Sequence, residues 1–143
     1  MTDTGSAQVL LVEDDEPLAA VVARHLNAHG LPTEVVTSTE AAERRLDAGL
    51  RPRLVLLDIN LPGETGWSLL RGRSYEAAGR PRVVVVSATR ISSSRLREFD
   101  VAGYLPKPFA METLLETVRR YTADAAADDV AGELREPMDV EML

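Results

Sequence analysis

The sequence contains no cysteine. That excludes disulfides and thiolate metal centres and suits a reducing, cytoplasmic setting. Lysine is nearly missing too: Lys107 stands alone against fifteen arginines. No apolar run approaches the roughly 20 residues of a membrane span, so no membrane partner is expected. The opening Met1-Thr-Asp-Thr-Gly-Ser6 lacks the basic-then-apolar pattern of a signal peptide. There is no internal repeat, no P-loop and no G-x-G-x-x-G pattern, so Gly63-Glu-Thr-Gly66 reads as a turn and not as a phosphate cradle.

A positive stripe is also lacking. The net charge of −7 falls mostly on residues 124–143, where seven acids and one arginine give −6, leaving −1 for residues 1–123. Neither part carries the basic surface of a nucleic-acid binder, so direct nucleic-acid binding is not expected.

What is present is one domain's worth of alternating pattern. The 143 residues are 45% hydrophobic and 27% charged, ordinary for a globular chain with a single core. Apolar runs at Val9–Val12, Glu34–Val36, Leu54–Leu57, Val83–Val86 and Ala102–Leu105 predict five strands. Three of these are continuously apolar, as in parallel strands buried on both faces. Between and after them, helices are predicted over Glu16–His29, Thr39–Ala48, Gly66–Ala78, Ile91–Phe99 and Met111–Tyr121. The first carries an apolar stripe of Leu18, Val21, Val22 and Leu26. The third is weakened by Gly72 and the fourth by Ser92-Ser93-Ser94. Five β-α units imply an α/β fold, an open parallel sheet with helices on both faces. Residues 1–6 are expected to be a disordered start, 7–122 the domain, and 123–143 a flexible acidic tail.

In such a sheet the ligand site lies beyond the carboxyl ends of the strands. Glu13-Asp14-Asp15-Glu16 follows the first strand. A helix start accounts for Asp15 or Glu16, but Glu13 and Asp14 continue a buried strand, where like charges are costly unless a cation joins them. Oxygen ligands without Cys or His favour a hard ion such as Mg²⁺. Asp58 follows the third strand and brings a third carboxylate; as a bland alternative it caps the turn after it. Ser87-Ala88-Thr89 follows the fourth strand with a hydroxyl and free backbone N–H groups, and Lys107 follows the fifth. Three carboxylates, a cation, a hydroxyl and an ammonium suit a phosphoryl group, and Asp58 is the candidate nucleophile.

Four motifs, Val9-Leu-Leu-Val-Glu-Asp14, Leu56-Leu-Asp-Ile-Asn-Leu-Pro-Gly63, Val86-Ser-Ala88 and Tyr104-Leu-Pro-Lys-Pro-Phe109, resemble in order and spacing the receiver domain of two-component response regulators. The resemblance covers roughly residues 7–122. It implies a flavodoxin-like, doubly wound (βα)5 sheet of strand order 2-1-3-4-5. It also implies phosphoryl transfer to Asp58 from a sensor histidine kinase or a histidine phosphotransfer protein. By the same resemblance Asp14 would ligate Mg²⁺ with Asp58, Glu13 would support it, and the main-chain carbonyl of Asn60 would be a further ligand. Ser87 and Lys107, the latter followed by a cis bond to Pro108, would contact the phosphoryl group. Ser87 and Tyr104 would form the switch toward an unknown downstream protein.

The expected role is a stand-alone response regulator, not an enzyme, catalysing only its own phosphorylation and dephosphorylation. The alternative is a pseudo-receiver, a docking module that works without phosphorylation. A phosphatase of the D-x-D type is disfavoured because Asp58-Ile-Asn60 lacks the second acid. One departure stands out: Asp100 occupies the helix end where Gly is usual, which predicts a marginal fourth helix. His25 and His29, at i and i+4 without a third ligand, read as surface residues.

Overall fold

A computed structural model describes residues 7–61 and 65–123 of the chain. The expectations for residues 1–6 and for the acidic tail from 124 onward lie outside the described residues, as does the core of the turn at 62–64.

The strands are β1 (Val9–Val12), β2 (Thr33–Val36), β3 (Leu54–Asp58), β4 (Arg82–Ser87) and β5 (Gly103–Pro106). They form one parallel sheet in the order β2-β1-β3-β4-β5. The helices are α1 (Glu16–Ala28), α2 (Thr39–Asp47), α3 (Gly66–Arg71), α4 (Arg73–Ala77), α5 (Ser93–Glu98) and α6 (Met111–Tyr121).

The side-chain period of two divides each central strand between two cores. Val9, Leu11, Leu54, Leu56, Val84 and Val86 pack on the face covered by α1 and α6. Leu10, Val12, Val55, Leu57, Val83 and Val85 pack on the other face, under α2 to α5. That two-sided burial is why these runs read as continuously apolar.

Two expectations change. The single helix expected over Gly66–Ala78 is two helices, broken at Gly72, whose extended backbone (φ −90°, ψ 166°) ends α3 and starts α4. An added Cβ there would lie 3.3 Å from Glu43 Oε2, so the break also fits closely against α2. Val21, counted on the apolar stripe of α1, is instead 50% exposed; Ala19, Val22 and Leu26 make the buried face.

Four helix ends, those of α1, α2, α4 and α5, follow one left-handed pattern, at Gly30, Gly49, Gly79 and Asp100, with Asp100 the one exception in residue type. Gly30 ends α1 at φ +82°, and its N–H and that of Leu31 reach back to Asn27 and Leu26 carbonyls. Asp100 closes α5 in the same way at φ +56°, with Asp100 N–H on the Arg97 carbonyl and Val101 N–H on that of Leu96. The left-handed Asp is therefore real, and α5 is short, as its serines and Asp100 predict. Ser92 nevertheless does useful local work as its N-cap, accepting from Arg95 N–H at 3.1 Å.

Candidate functional site: a carboxylate–lysine cluster at the sheet edge

Parallel register brings four strand ends to one edge. Val12 pairs with Leu57, Asp58 with Val86 and Ser87 with Pro106. The residues that follow are tied into the same edge by the backbone: Glu13 N–H to the Val36 carbonyl, Ile59 N–H to Val86 and Lys107 N–H to Ser87. Glu13, Asp58, Ser87 and Lys107 thus converge although nearly 100 residues separate the first from the last.

The lone lysine is the hub. Lys107 Nζ lies 3.0 Å from Glu13 Oε1 and 3.1 Å from Asp58 Oδ2. Asp58 Oδ1 accepts the Asn60 N–H at 2.8 Å, and Glu13 Oε2 accepts the Asp15 N–H at 3.1 Å. Glu13 and Asp58 are buried, while Asp14 is exposed at the mouth. The Lys107–Pro108 peptide is cis.

Burial pushes the Glu13 carboxyl above the ordinary carboxylate range, against the hydrogen bonds from Lys107 and Asp15, and the Asp58 charge adds to the push. Burial works the other way on Lys107, tending to lower it. Its hydrogen bonds to Glu13 and Asp58, with their charges, outweigh that and hold the ammonium above the ordinary lysine value.

Carboxylate oxygens of Glu13, Asp14 and Asp58 lie within 4.8 Å of one another. Among the described residues this is the only such group of acids, His or Cys. Three carboxylates without a soft ligand fit a hard divalent cation.

A second, uncharged chain leads away from this cluster. The Ser87 hydroxyl is fully buried and lies 2.8 Å from both Asn60 Oδ1 and the Thr89 carbonyl, two of the three acceptors within reach of its single proton, Thr89 Oγ1 being the third. Thr89 N–H donates to Ser87 Oγ at 2.9 Å, so this N–H is not free, as the sequence reading had it. Tyr104 OH donates to the same Thr89 carbonyl at 3.0 Å. Burial raises its phenol above the usual value, so it remains a donor at neutral pH. Asn60 joins the two chains, its N–H on Asp58 and its side-chain oxygen toward Ser87.

Sequence reasoning missed two contributors. Thr89 was noted only for its backbone, yet its Oγ1 sits 2.9 Å from Ser87 Oγ. Gly66 was read as part of a turn, yet it packs directly on the Asp58 main chain; a glycine at the first position of a predicted helix was the available signal. The histidine pair is not entirely at the surface: His25 Nε2 is shielded and has no hydrogen-bond partner among the described residues. The two rings are 4.5 Å apart and no acid joins them, so they form no metal group.

Comparison with known proteins converges on one family. The family model for the response regulator receiver domain matches residues 9–119. Response regulator MprA of Mycolicibacterium vanbaalenii is 32% identical over 128 residues, covering 88% of this chain and 54% of its own length. Protein PetR of Rhodobacter capsulatus is 31% identical over 118 residues, 80% of this chain and 48% of its own. The chain therefore spans about half the length of the curated relatives it matches. Among solved structures, a response regulator receiver protein from Burkholderia phymatum superposes with a TM-score of 0.70 at 27% identity, covering 82% of this chain and 95% of that one. A CheY-like receiver domain protein from Methanospirillum hungatei gives 0.72 at 20% identity, covering 87% and 96%, and bears on the fold alone. No described helix is long and apolar enough to cross a membrane.

Proposed function

The chain belongs to the response regulator receiver-domain family of two-component signalling, and from that premise we propose that Asp58 is its phosphoacceptor. The donor would be a phosphohistidine on a sensor histidine kinase or a histidine phosphotransfer protein. One observation carries the reading: the buried Asp58 carboxylate is held from both sides, by Asn60 N–H and by Lys107, beside the carboxylates of Glu13 and Asp14.

In the transfer, an Asp58 oxygen bonds to phosphorus as the imidazole nitrogen–phosphorus bond breaks, and the ring nitrogen keeps the electron pair. Asp14 and Asp58 would hold Mg²⁺, with Glu13 in support and the Asn60 main-chain carbonyl as a further ligand. Bound there, the ion would offset the negative charge of the phosphoryl oxygens. Lys107 holds a compact positive charge against the acceptor carboxylate, where an arginine fork would be too broad. The Ser87 hydroxyl would leave Asn60 and Thr89 to donate to a phosphoryl oxygen. Because Tyr104 donates to the same Thr89 carbonyl, that move would change the setting of Tyr104 and alter the face of α5, β5 and α6 toward a downstream protein. The chemistry would be confined to the chain's own phosphorylation and dephosphorylation, since no second acid stands at Asn60 to act as acid/base.

Incubation with acetyl phosphate and Mg²⁺, followed by intact mass, tests this. Wild type should gain one phosphoryl group and Asp58→Asn none. An unmodified wild type beside a modified control receiver would favour the docking-module reading instead.

A further inference from the structure

The edge opposite the acceptor site is rich in arginine. Arg51 and Arg53 precede β3, Arg80 and Arg82 lead into β4, and Arg119 and Arg120 close α6. Leu54 pairs with Arg82, so the two strand starts are neighbours. The end of α6 is anchored between them. Arg53 Nη1 donates to the Thr122 carbonyl at 3.0 Å and Arg82 Nη1 to the Tyr121 carbonyl at 2.8 Å. Arg80 extends over the Tyr75 ring, 5.4 Å from its centroid. Asp47, Glu76, Glu98 and Asp100 are the acids at the ends of α2, α4 and α5 on this edge, four against six arginines.

The chain leaves α6 at this rim, and the next twenty residues hold seven acids and one arginine. We propose that residues 124–143 are an intramolecular ligand of the arginine rim, which lies on the side of the sheet away from Asp58. Three arguments select this occupant. The charges are opposite and the attachment point is already on the patch. A guanidinium carries five N–H donors in a fork that matches carboxylates, and a single carbonyl uses only one of those on Arg53. Tethering also gives the tail an effective concentration on the order of millimolar, above that of a free acidic partner or a second copy. Reach is not limiting, because extended chain spans about 3.3–3.6 Å per residue.

The test uses the full chain and a variant with the seven tail acids changed to Asn or Gln. Amide resonances of Arg51, Arg53, Arg119 and Arg120 are followed from about 0.01 M to about 1 M salt, where the Debye length falls from about 30 Å to about 3 Å. Wild-type signals should move with salt at every protein concentration, while the variant stays at the high-salt positions throughout. Coincidence of the two proteins at low salt would overturn the proposal. So would a wild-type response that grows with protein concentration, which would assign the rim to a second copy. As an independent readout, random-sequence duplex DNA should bind the variant about tenfold or more tighter than wild type at low salt. Equal affinities would mean that the tail leaves the rim open.

Discussion

A Cβ built on Gly66 would lie 2.7 Å from the main-chain oxygen of Asp58, closer than real Cβ atoms approach. The same Gly66 donates its N–H to the Ile59 carbonyl at 3.2 Å, so the start of α3 rests directly on the backbone that carries Asp58. Gly66→Ala must push the two apart, because the opposing atom is backbone and cannot swing away. Strain of this kind costs about 1–3 kcal/mol. The variant should therefore lose about that much in urea unfolding and also phosphorylate more slowly with acetyl phosphate. Full stability with unchanged kinetics would mean that α3 shifts freely.

Lys107→Met leaves two buried carboxylates facing each other without their cation. Removing one partner of a buried ion pair costs about 3 kcal/mol, somewhat less here because the Lys107 side chain keeps 20% exposure. The pH dependence has a definite sign. Glu13 is already raised, and losing the Lys107 hydrogen bond raises it further. A carboxyl raised in the folded state adds stability below its unfolded value, and that stability is lost as pH rises through the folded value. The deficit of Lys107→Met should thus shrink as pH falls from neutrality toward the ordinary carboxylate range. On the alkaline side, wild type should keep the lysine's contribution up to the ordinary lysine value and lose it above, since Lys107 is itself raised. Denaturation midpoints across pH for the two proteins check both limbs; a deficit flat with pH would contradict the account.

If the acids hold a divalent cation, Mg²⁺ should stabilise the fold by mass action, about 2.7 kcal/mol at a hundred times the dissociation constant. Trp67, buried and packed against the Phe99 ring at 4.6 Å, gives an optical readout, since it follows Gly66 directly. Asp14→Asn should weaken binding about tenfold or more, equivalent to about 1.4 kcal/mol. Because Asp14 is exposed, its loss should leave the metal-free fold intact. Identical titrations of the two proteins would remove Asp14 from the ligand set.

Asp100→Gly should stabilise the chain by about 1 kcal/mol. A left-handed conformation costs a non-glycine residue about 1–2 kcal/mol, partly offset by the greater freedom of glycine in the unfolded chain. Gly30 shows that the same closing pattern is made here by glycine elsewhere. Amide exchange across Ser93–Glu98 should slow in the variant, tying the gain to α5. Unchanged exchange there would separate α5's stability from its cap.

Legibility in the sequence depended on distance along the chain. The five strands, their parallel class and the acids after β1 and β3 were readable because burial on both faces leaves an apolar run and an abrupt acid ends it. Val21 misled because a helical stripe counts apolar residues without knowing which edge the sheet covers. The helix over Gly66–Ala78 was read as unbroken because Gly72 lowers helix propensity by only about 1 kcal/mol, too little to decide between a bend and a break. In the structure Gly72 takes an extended backbone that ends α3 and starts α4.

The sequence by itself determined the kind of chemistry at the sheet edge: carboxylates, a hydroxyl and the lone Lys107, each at or directly after the end of a strand. Residue type and position relative to a strand end are local properties and can be read without coordinates. Only the tertiary structure decided how those groups pair. Lys107 divides its charge between Glu13 and Asp58, and the Ser87 hydroxyl is engaged by Asn60 and Thr89. Such pairings depend on strand register and on tenths of an ångström between residues as many as 94 positions apart, and hydrogen bonds are strong only over that range.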